Sequence, residues 1–110
     1  SGGLTGWQSA RVIEFMRSRL DETLSLPELA ELTGLTPWHF ARAFRQRHGV
    51  PPHRYLMRLR LERACELLES TRLPVTEIAA RVGYSSQHLA RHFRSNMECS
   101  PREYRRQVSF

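Results

Sequence analysis

The chain contains an internal repeat: residues 26–55 align without a gap with residues 75–104, 49 positions later. A repeat of this length is one supersecondary unit used twice, so both copies are expected to fold in the same way. The identical positions pair Glu28, Ala30, Gly34, His39, Ala41, Arg42, Phe44, Arg45, Pro52 and Tyr55 with Glu77, Ala79, Gly83, His88, Ala90, Arg91, Phe93, Arg94, Pro101 and Tyr104.

Each copy predicts two short helices around a glycine turn, which is the helix-turn-helix pattern. The first copy opens on a capping box at residues 25–28 and reaches its turn at Gly34. Thr36 is then expected to cap a second helix over Pro37–His48. The apolar residues expected to be buried by the shorter helix are Leu26, Leu29, Ala30 and Leu32.

The rest of the chain is also predicted to be helical, because no segment alternates with the period of a β-strand. The sequence therefore predicts an all-α fold. Trp7 and Phe15, in the first helix, are expected to pack in the core or at its edge. The further helices are expected over Trp7–Leu20, Pro52–Ser70, Val75–Val82 and Ser86–Met97, with a last short helix from the capping box at 100–103 to about Gln107.

The charge composition favours a polyanionic partner. The formal net charge is +6, and all 17 basic residues are arginines. The arginine guanidinium group matches guanine edges and phosphates, although a basic surface also serves simply to keep a protein in solution.

The two cysteines, Cys65 and Cys99, match no metal-binding or redox spacing. Both are expected to be reduced core residues, as in a cytoplasmic protein. No apolar run approaches the length of a membrane span. Neither a cofactor nor a metal site is predicted.

The second helix of each copy is expected to present a polar face. With about 100° of rotation per residue, Phe40 and Phe44 share one side, which must face the core. In the second copy the equivalent core pair is Leu89 and Phe93. The opposite side carries Trp38, Arg42, Arg45 and Gln46 in the first copy, and Gln87, Arg91, Arg94 and Ser95 in the second, with His88 at its margin.

These faces suit the reading of duplex DNA. Arginine can bind guanine O6 and N7 through two hydrogen bonds, and glutamine can do the same for adenine N6 and N7. The predicted base contacts are Trp38, Arg42, Gln87 and Arg91. The predicted base or phosphate contacts are Thr36, His39, Arg45, Gln46, Ser85, Ser86, His88 and Arg94. The sequence does not determine which of the remaining arginines face the duplex. These further positive charges are Arg54, Arg58, Arg60, Arg72, Arg102, Arg105 and Arg106.

The chain resembles the DNA-binding domain of AraC/XylS family transcription regulators. The resemblance is carried by LPELAELTGLTPWHFARAFRQRHGVPPHRYLMRLRLERACELL and PVTEIAARVGYSSQHLARHFRSNMECSPREYR. It implies seven helices, with two helix-turn-helix subdomains joined by a long linker helix. The second helix of each subdomain would enter one of two successive major grooves, about 34 Å apart. The implied division is a linker or expression remnant over 1–6, subdomains over 7–50 and 71–110, and the linker helix over 51–70.

The resemblance also implies partners. In this family the domain usually follows an N-terminal sensing or dimerisation domain and acts as an activator that contacts RNA polymerase. The isolated domain is expected to be a monomer, a longer protein could dimerise through its N-terminal domain, and the bacterial cytoplasm and nucleoid are the expected location.

Two features of the second copy depart from the family pattern. GYSSQHLARHF is one residue shorter than the usual family segment, which would re-phase the start of the reading helix at Ser86, Gln87 and His88. In addition, Glu98 stands where a turn glycine, Gly49, stands in the first copy. Either change could reduce the sequence preference of the second subdomain.

The predicted function is sequence-specific binding of double-stranded DNA and regulation of transcription, and activation is the expected direction of that regulation. One alternative is a helical interaction module whose basic face binds an acidic protein. Another is an enzyme, such as the DNA-repair proteins that carry a similar domain beside a reactive cysteine. Neither Cys65 nor Cys99 lies in a motif that would support such a nucleophile, so no enzyme is predicted.

Overall fold

The computed structural model describes residues 3–108, in which seven α-helices form and no β-strand occurs. This confirms the predicted all-α fold. In chain order the helices are α1 (Gly6–Ser18), α2 (Leu26–Glu31), α3 (Pro37–His48), α4 (Pro52–Ser70), α5 (Val75–Arg81), α6 (Ser86–Met97) and α7 (Pro101–Val108).

The helices form two units, which meet within α4. The first unit extends up to Leu59, and the second begins at Arg60. Leu56 and Leu59 are buried in the core of the first unit, whereas Leu68 is buried in that of the second. The predicted linker helix is thus one continuous helix, α4, whose first part belongs to the first unit and whose second part belongs to the second. Each half of α4 therefore contributes apolar side chains to the core of its own unit.

The core of the first unit is built on the inner face of α3. Phe40 and Phe44 are fully buried, together with Val12 and Met16 of α1. The expected inner face of the reading helix is thus confirmed. Leu26 differs from the prediction, since it is 37% exposed at the first position of the short helix α2.

The residues just before α1 belong to the first unit. Leu4 is buried in the core, and its carbonyl oxygen accepts a hydrogen bond from Arg47 Nη1 at 3.2 Å. Thr5 and Gln8 form a capping box that begins α1 at Gly6. The prediction of a linker over 1–6 is therefore wrong for residues 4–6, while Ser1 and Gly2 lie outside the described residues.

The second unit repeats this arrangement with a core of its own. Leu89 and Phe93 are fully buried, as predicted for the inner face of α6, and Ile78 of α5 lies with them. Cys99 is buried and Cys65 half-buried, and both are free thiols. Burial is the main cause that raises the pKa of the Cys65 thiol.

The reading helices end in the same backbone conformation with different residues. Gly49 follows α3 with φ 79°, and Glu98 follows α6 with φ 60°. Because a side chain at Cβ crowds the following carbonyl in this left-handed region, glycine adopts it without cost whereas glutamate does not. The sequence showed that Glu98 replaces the turn glycine of the first copy, and the structure shows that the left-handed turn is nevertheless kept.

Arg105 fixes the end of α4 in the second unit. Its guanidinium group donates to three carbonyl oxygens, those of Leu68 at 3.2 Å, Thr71 at 3.3 Å and Leu73 at 2.6 Å. The last carbonyls of a helix have no partner within it, and a cation there also complements the helix dipole. Sequence reasoning placed Arg105 only among arginines of undetermined facing.

Candidate nucleic-acid interface

The start of α3 is fixed by its cap. The backbone N–H of His39 donates to Thr36 Oγ1 at 3.3 Å, and Pro37 occupies the first helical position. Thr36 Oγ1 also lies 3.2 Å from His39 Nδ1. These contacts fix the direction in which the first turn of α3 projects its outer side chains.

Trp38 and Arg42 form an exposed pair one turn apart on α3. Trp38 is 64% exposed, and the guanidinium carbon of Arg42 lies 5.4 Å from the centroid of its ring. At this distance the cation is attracted to the indole face. The His39 ring lies edge-on to the Trp38 ring, with the two ring centroids 5.3 Å apart. The pair thus presents an apolar surface and a guanidinium fork side by side.

The C-terminal half of α3 divides between surface and core. Arg45 and Gln46 are exposed, as predicted. His48 instead faces inwards, where its Nε2 lies 2.6 Å from Oγ of the buried Ser9. Burial, followed by the charge of Arg47, lowers the pKa of His48. His48 is therefore a packing residue of the first unit rather than part of the polar face.

α6 begins in the same way as α3. The backbone N–H of His88 donates to Ser85 Oγ at 3.1 Å, and α6 has the same length of 12 residues as α3. Although GYSSQHLARHF is one residue shorter than the usual family segment, α6 therefore starts in the same way as α3. Gln87 and Arg91 are exposed on its first two turns, and Ser86 is half-buried.

A second aromatic group supports the outer face of α6. Tyr84, in the turn before the helix, is buried, and its ring packs against the rings of His88 at 4.3 Å and His92 at 5.8 Å. The guanidinium carbon of Arg60 also lies 5.4 Å from the centroid of the Tyr84 ring. Burial is the main cause that raises the pKa of Tyr84. The first copy has Leu35 at this position, so the repeat alone did not indicate the group.

A shallow concave surface of about 430 Å³ opens beside this group. Its polar and basic lining can accept an anionic or hydrogen-bonding partner, and two of the side chains are imidazoles, which donate or accept according to their protonation. The lining residues are Ser85, His88, Arg91, His92 and Ser95.

Arg94, the last predicted contact of α6, is ion-paired. Its Nη2 lies 3.3 Å from Oε1 of Glu103 in α7. Its counterpart in the first unit, Arg45, has no acidic group within ion-pair distance among residues 3–108. The two units therefore present their matched arginines in different electrostatic settings.

In each unit the structure places the predicted site residues on the second helix or its cap, and all of them are exposed except Ser86, which is half-buried; we call each set the outer face. Their contacts with DNA stay a prediction. In the first unit the face comprises Thr36, Trp38, His39, Arg42, Arg45 and Gln46, and in the second it comprises Ser85, Ser86, Gln87, His88, Arg91 and Arg94.

Other kinds of site were also sought within residues 3–108. No group of three or more His, Cys, Asp or Glu side chains is placed to hold a metal ion. Of the helices described here, none has both the length and the apolar character needed to cross a membrane.

Fold and faces together define a class: a domain of two helix-turn-helix units, each with an exposed arginine on its second helix. The sequence pattern of a family described as "Helix-turn-helix domain" matches residues 29–107. The chain belongs to this family, the AraC-type helix-turn-helix domains. The resemblance seen in the sequence is thereby confirmed. It is a family of DNA-binding transcription regulators and not a class of enzymes.

Similar curated proteins carry regulatory descriptions. The chain is 33% identical over 97 residues to the HTH-type transcriptional activator AarP of Providencia stuartii, covering 87% of this chain and 72% of that protein. It is 34% identical to the MmsAB operon regulatory protein of Pseudomonas aeruginosa, covering 86% of this chain but 31% of that protein. The chain thus spans most of the first relative and about a third of the second.

Similar solved structures share both units. The C-terminal domain of AraT, a response regulator from Geobacillus stearothermophilus, is 32% identical, with a TM-score of 0.87, over 97% of this chain and 89% of that chain. The DNA-binding domain of AdpA, solved in complex with a target DNA, is also 32% identical, with a TM-score of 0.84, over 91% of each chain.

Proposed function

We propose that the chain recognises a specific duplex sequence with two reading helices, α3 and α6, that enter successive major grooves. The observation that carries this is the repetition of one arrangement: Trp38 precedes Arg42 by one turn of α3, as Gln87 precedes Arg91 on α6. An isolated exposed arginine is usually only solvated. Two arginines at the same position of two repeated helices, opposite two buried phenylalanines, indicate a shared role.

The proposed base contacts follow from hydrogen-bonding capacity. Arg42 and Arg91 can each bind a guanine through two hydrogen bonds, and Gln87 can bind an adenine in the same way. Trp38 offers an apolar face to a thymine methyl group and one N–H donor. Because the two units carry different side chains, one copy of the chain would read an asymmetric rather than a palindromic site.

The remaining outer residues would position the domain on the DNA backbone. Phosphates are commonly bound by helix N-termini and by arginine side chains, which set register but carry little sequence information. The proposed phosphate or additional base contacts are Thr36, His39, Arg45 and Gln46 in the first unit and Ser85, Ser86, His88 and Arg94 in the second.

The regulatory setting is proposed from the relatives. AarP is described as an activator, which supports activation by this chain as well. We propose that the domain acts in the bacterial cytoplasm on nucleoid DNA, contacts RNA polymerase, binds as a monomer when isolated, and has no catalytic activity of its own. In a longer protein, dimerisation would depend on another domain.

The salt dependence of binding tests this function against that of an acidic-protein module. The affinity for duplex DNA is expected to fall steeply with salt, because each neutralised phosphate releases a condensed counterion. DNA of a selected sequence is expected to compete better than heparin at equal charge. If heparin competed as well as every duplex, the basic face would be a general polyanion surface, and the interaction module would be the better account.

A further inference from the structure

The repeat places opposite charges at one matched position. Glu103 of the second unit stands where Arg54 stands in the first, 49 positions earlier. Each lies in the first turn of a helix, two residues after a matched proline, Pro101 in α7 and Pro52 in α4. The units therefore differ in charge at the same point of the same fold.

The carboxylate of Glu103 is held in place by its capping box. Its Oε1 accepts from the backbone N–H of Ser100 at 3.0 Å, and the N–H of Glu103 donates to Ser100 Oγ at 3.1 Å. The same Oε1 accepts from Arg94 Nη2 at 3.3 Å. The hydrogen bonds from Ser100, with a smaller effect of Arg94, lower the pKa of Glu103, so the group remains charged at neutral pH.

We propose that Glu103 restrains Arg94 and makes the second unit the weaker phosphate-binding half of the domain. This rests on the proposed function, in which Arg45 and Arg94 face the duplex. A phosphate that binds Arg94 has to lie beside a fixed carboxylate, which repels it and already occupies Nη2 of the guanidinium group. In the first unit, the position that matches Glu103 carries Arg54 instead of an acid.

The restraint has a consequence for recognition. Phosphate contacts supply affinity for every sequence, whereas base contacts separate one sequence from another. With Arg94 restrained, Gln87 and Arg91 provide a larger share of the DNA-binding free energy that the second unit contributes. The first unit then anchors the domain, and the second unit mainly discriminates between sites.

Glu103→Gln tests the restraint without removing the cap, because glutamine also serves at this position of a capping box. Glu28→Gln is the matched control: it makes the same change in the capping box that begins α2, and Glu28 has no arginine within ion-pair distance in the described chain. Both variants of the whole chain would be titrated against a fluorescein-labelled duplex of random sequence at several salt concentrations.

Glu103→Gln is expected to raise the affinity about two- to fivefold, the range set by the strength of an exposed ion pair. It should also steepen the dependence of log K on log salt by up to about 0.9, the value for one added phosphate contact. Glu28→Gln should change both quantities less. Equal changes in the two variants would overturn the proposal, since they would reflect net charge alone.

Arg94→Ala, made with and without Glu103→Gln, separates the restraint from the proposed function. The loss of affinity on Arg94→Ala is expected to be greater in the Glu103→Gln background. Additive effects would overturn the restraint, even when the chain binds DNA well. If the unchanged chain bound no duplex at low salt, the proposed function itself would fail, together with the inference that rests on it.

Discussion

The guanidinium carbon of Arg42 lies 5.4 Å from the centroid of the Trp38 ring, one helical turn away on the outer face of α3. This contact holds the guanidinium fork beside an exposed indole face before any DNA is bound. Pre-ordering of a long side chain reduces the entropy that binding would otherwise cost. Under the proposed function, this pre-ordering favours Arg42 as the base-recognising residue of the first unit.

The first prediction concerns how Arg42 acts. Arg42→Lys keeps the positive charge but loses the planar fork, so discrimination at one base pair should fall by about 1–3 kcal/mol while affinity for other sequences changes little. Arg91→Lys should act in the same way at a different position of the site. Competition binding with single-base variants of a selected duplex would measure both losses.

Arg17→Ala is a suitable control for these variants, because Arg17 is exposed on α1, a helix that contributes none of the predicted contacts. A uniform loss on all duplexes for Arg42→Lys would contradict base recognition and would assign Arg42 to phosphates.

The second prediction concerns the turn after α6. Glu98 has φ 60° there, so Glu98→Gly should stabilise the chain by about 0.5–1 kcal/mol once the greater freedom of glycine in the unfolded state is included. The reciprocal change is Gly49→Ala. No atom lies within 4 Å of a Cβ built at Gly49, so its cost, about 1 kcal/mol, should be purely conformational. Urea denaturation would measure both; a destabilising Glu98→Gly would show that the carboxylate makes a contact the turn needs.

The third prediction concerns pH. Burial lowers the pKa of His48 below its ordinary value of 6.5, so the unfolded chain binds this proton more readily than the folded one. The contribution of neutral His48 to stability is complete above about pH 6.5 and is lost as pH falls towards the folded pKa. His48→Gln should flatten this part of the stability curve between pH 7.5 and 5, relative to the same change at the exposed His53. Parallel curves for the two variants would argue against it.

The fourth prediction concerns Arg105. Arg105→Ala removes the donor from three carbonyl oxygens, that of Leu68 in the last turn of α4 and those of Thr71 and Leu73 just after it, so it should destabilise the chain by about 1.5–3 kcal/mol. Arg106→Ala removes the same charge from an exposed neighbour and should change stability little. Thermal unfolding of both variants would check this. Equal shifts would mean that α7 needs positive charge there rather than these hydrogen bonds.

The local signals in the sequence predicted most of the fold. Helix boundaries follow from residues that act on their own neighbours, such as the hydroxyl caps Thr36 and Ser85 and the turn glycine Gly49. The inner positions of α3 and α6 follow from helical periodicity, because each helix has two large apolar side chains on one side and leaves the other side to solvent. These side chains are Phe40 and Phe44 in α3, and Leu89 and Phe93 in α6. The exposure of Arg42, Arg45, Gln87 and Arg91 could therefore be predicted, while their contacts with DNA stay predictions.

What the sequence did not show depends on contacts between distant residues. Leu4 is buried, and its carbonyl oxygen accepts a hydrogen bond from Arg47, 43 positions away. Arg105 donates to carbonyl oxygens more than 30 positions earlier. The ring of Tyr84 supports His88 only because a turn and a helix meet at that point. No periodicity or capping pattern encodes such pairs. The sequence likewise did not identify Glu103 as the partner of Arg94.

The measurement that tests the central claim most directly is a selection of binding sites from random duplexes, with the unchanged chain, at physiological salt. The account predicts two enriched blocks of different sequence, about one helical turn apart, with the preference in one block lost on Arg42→Lys and in the other on Arg91→Lys. One block alone would mean that the second unit contributes only phosphate contacts. The absence of any enriched sequence would contradict the account, because neither outer face would then read bases.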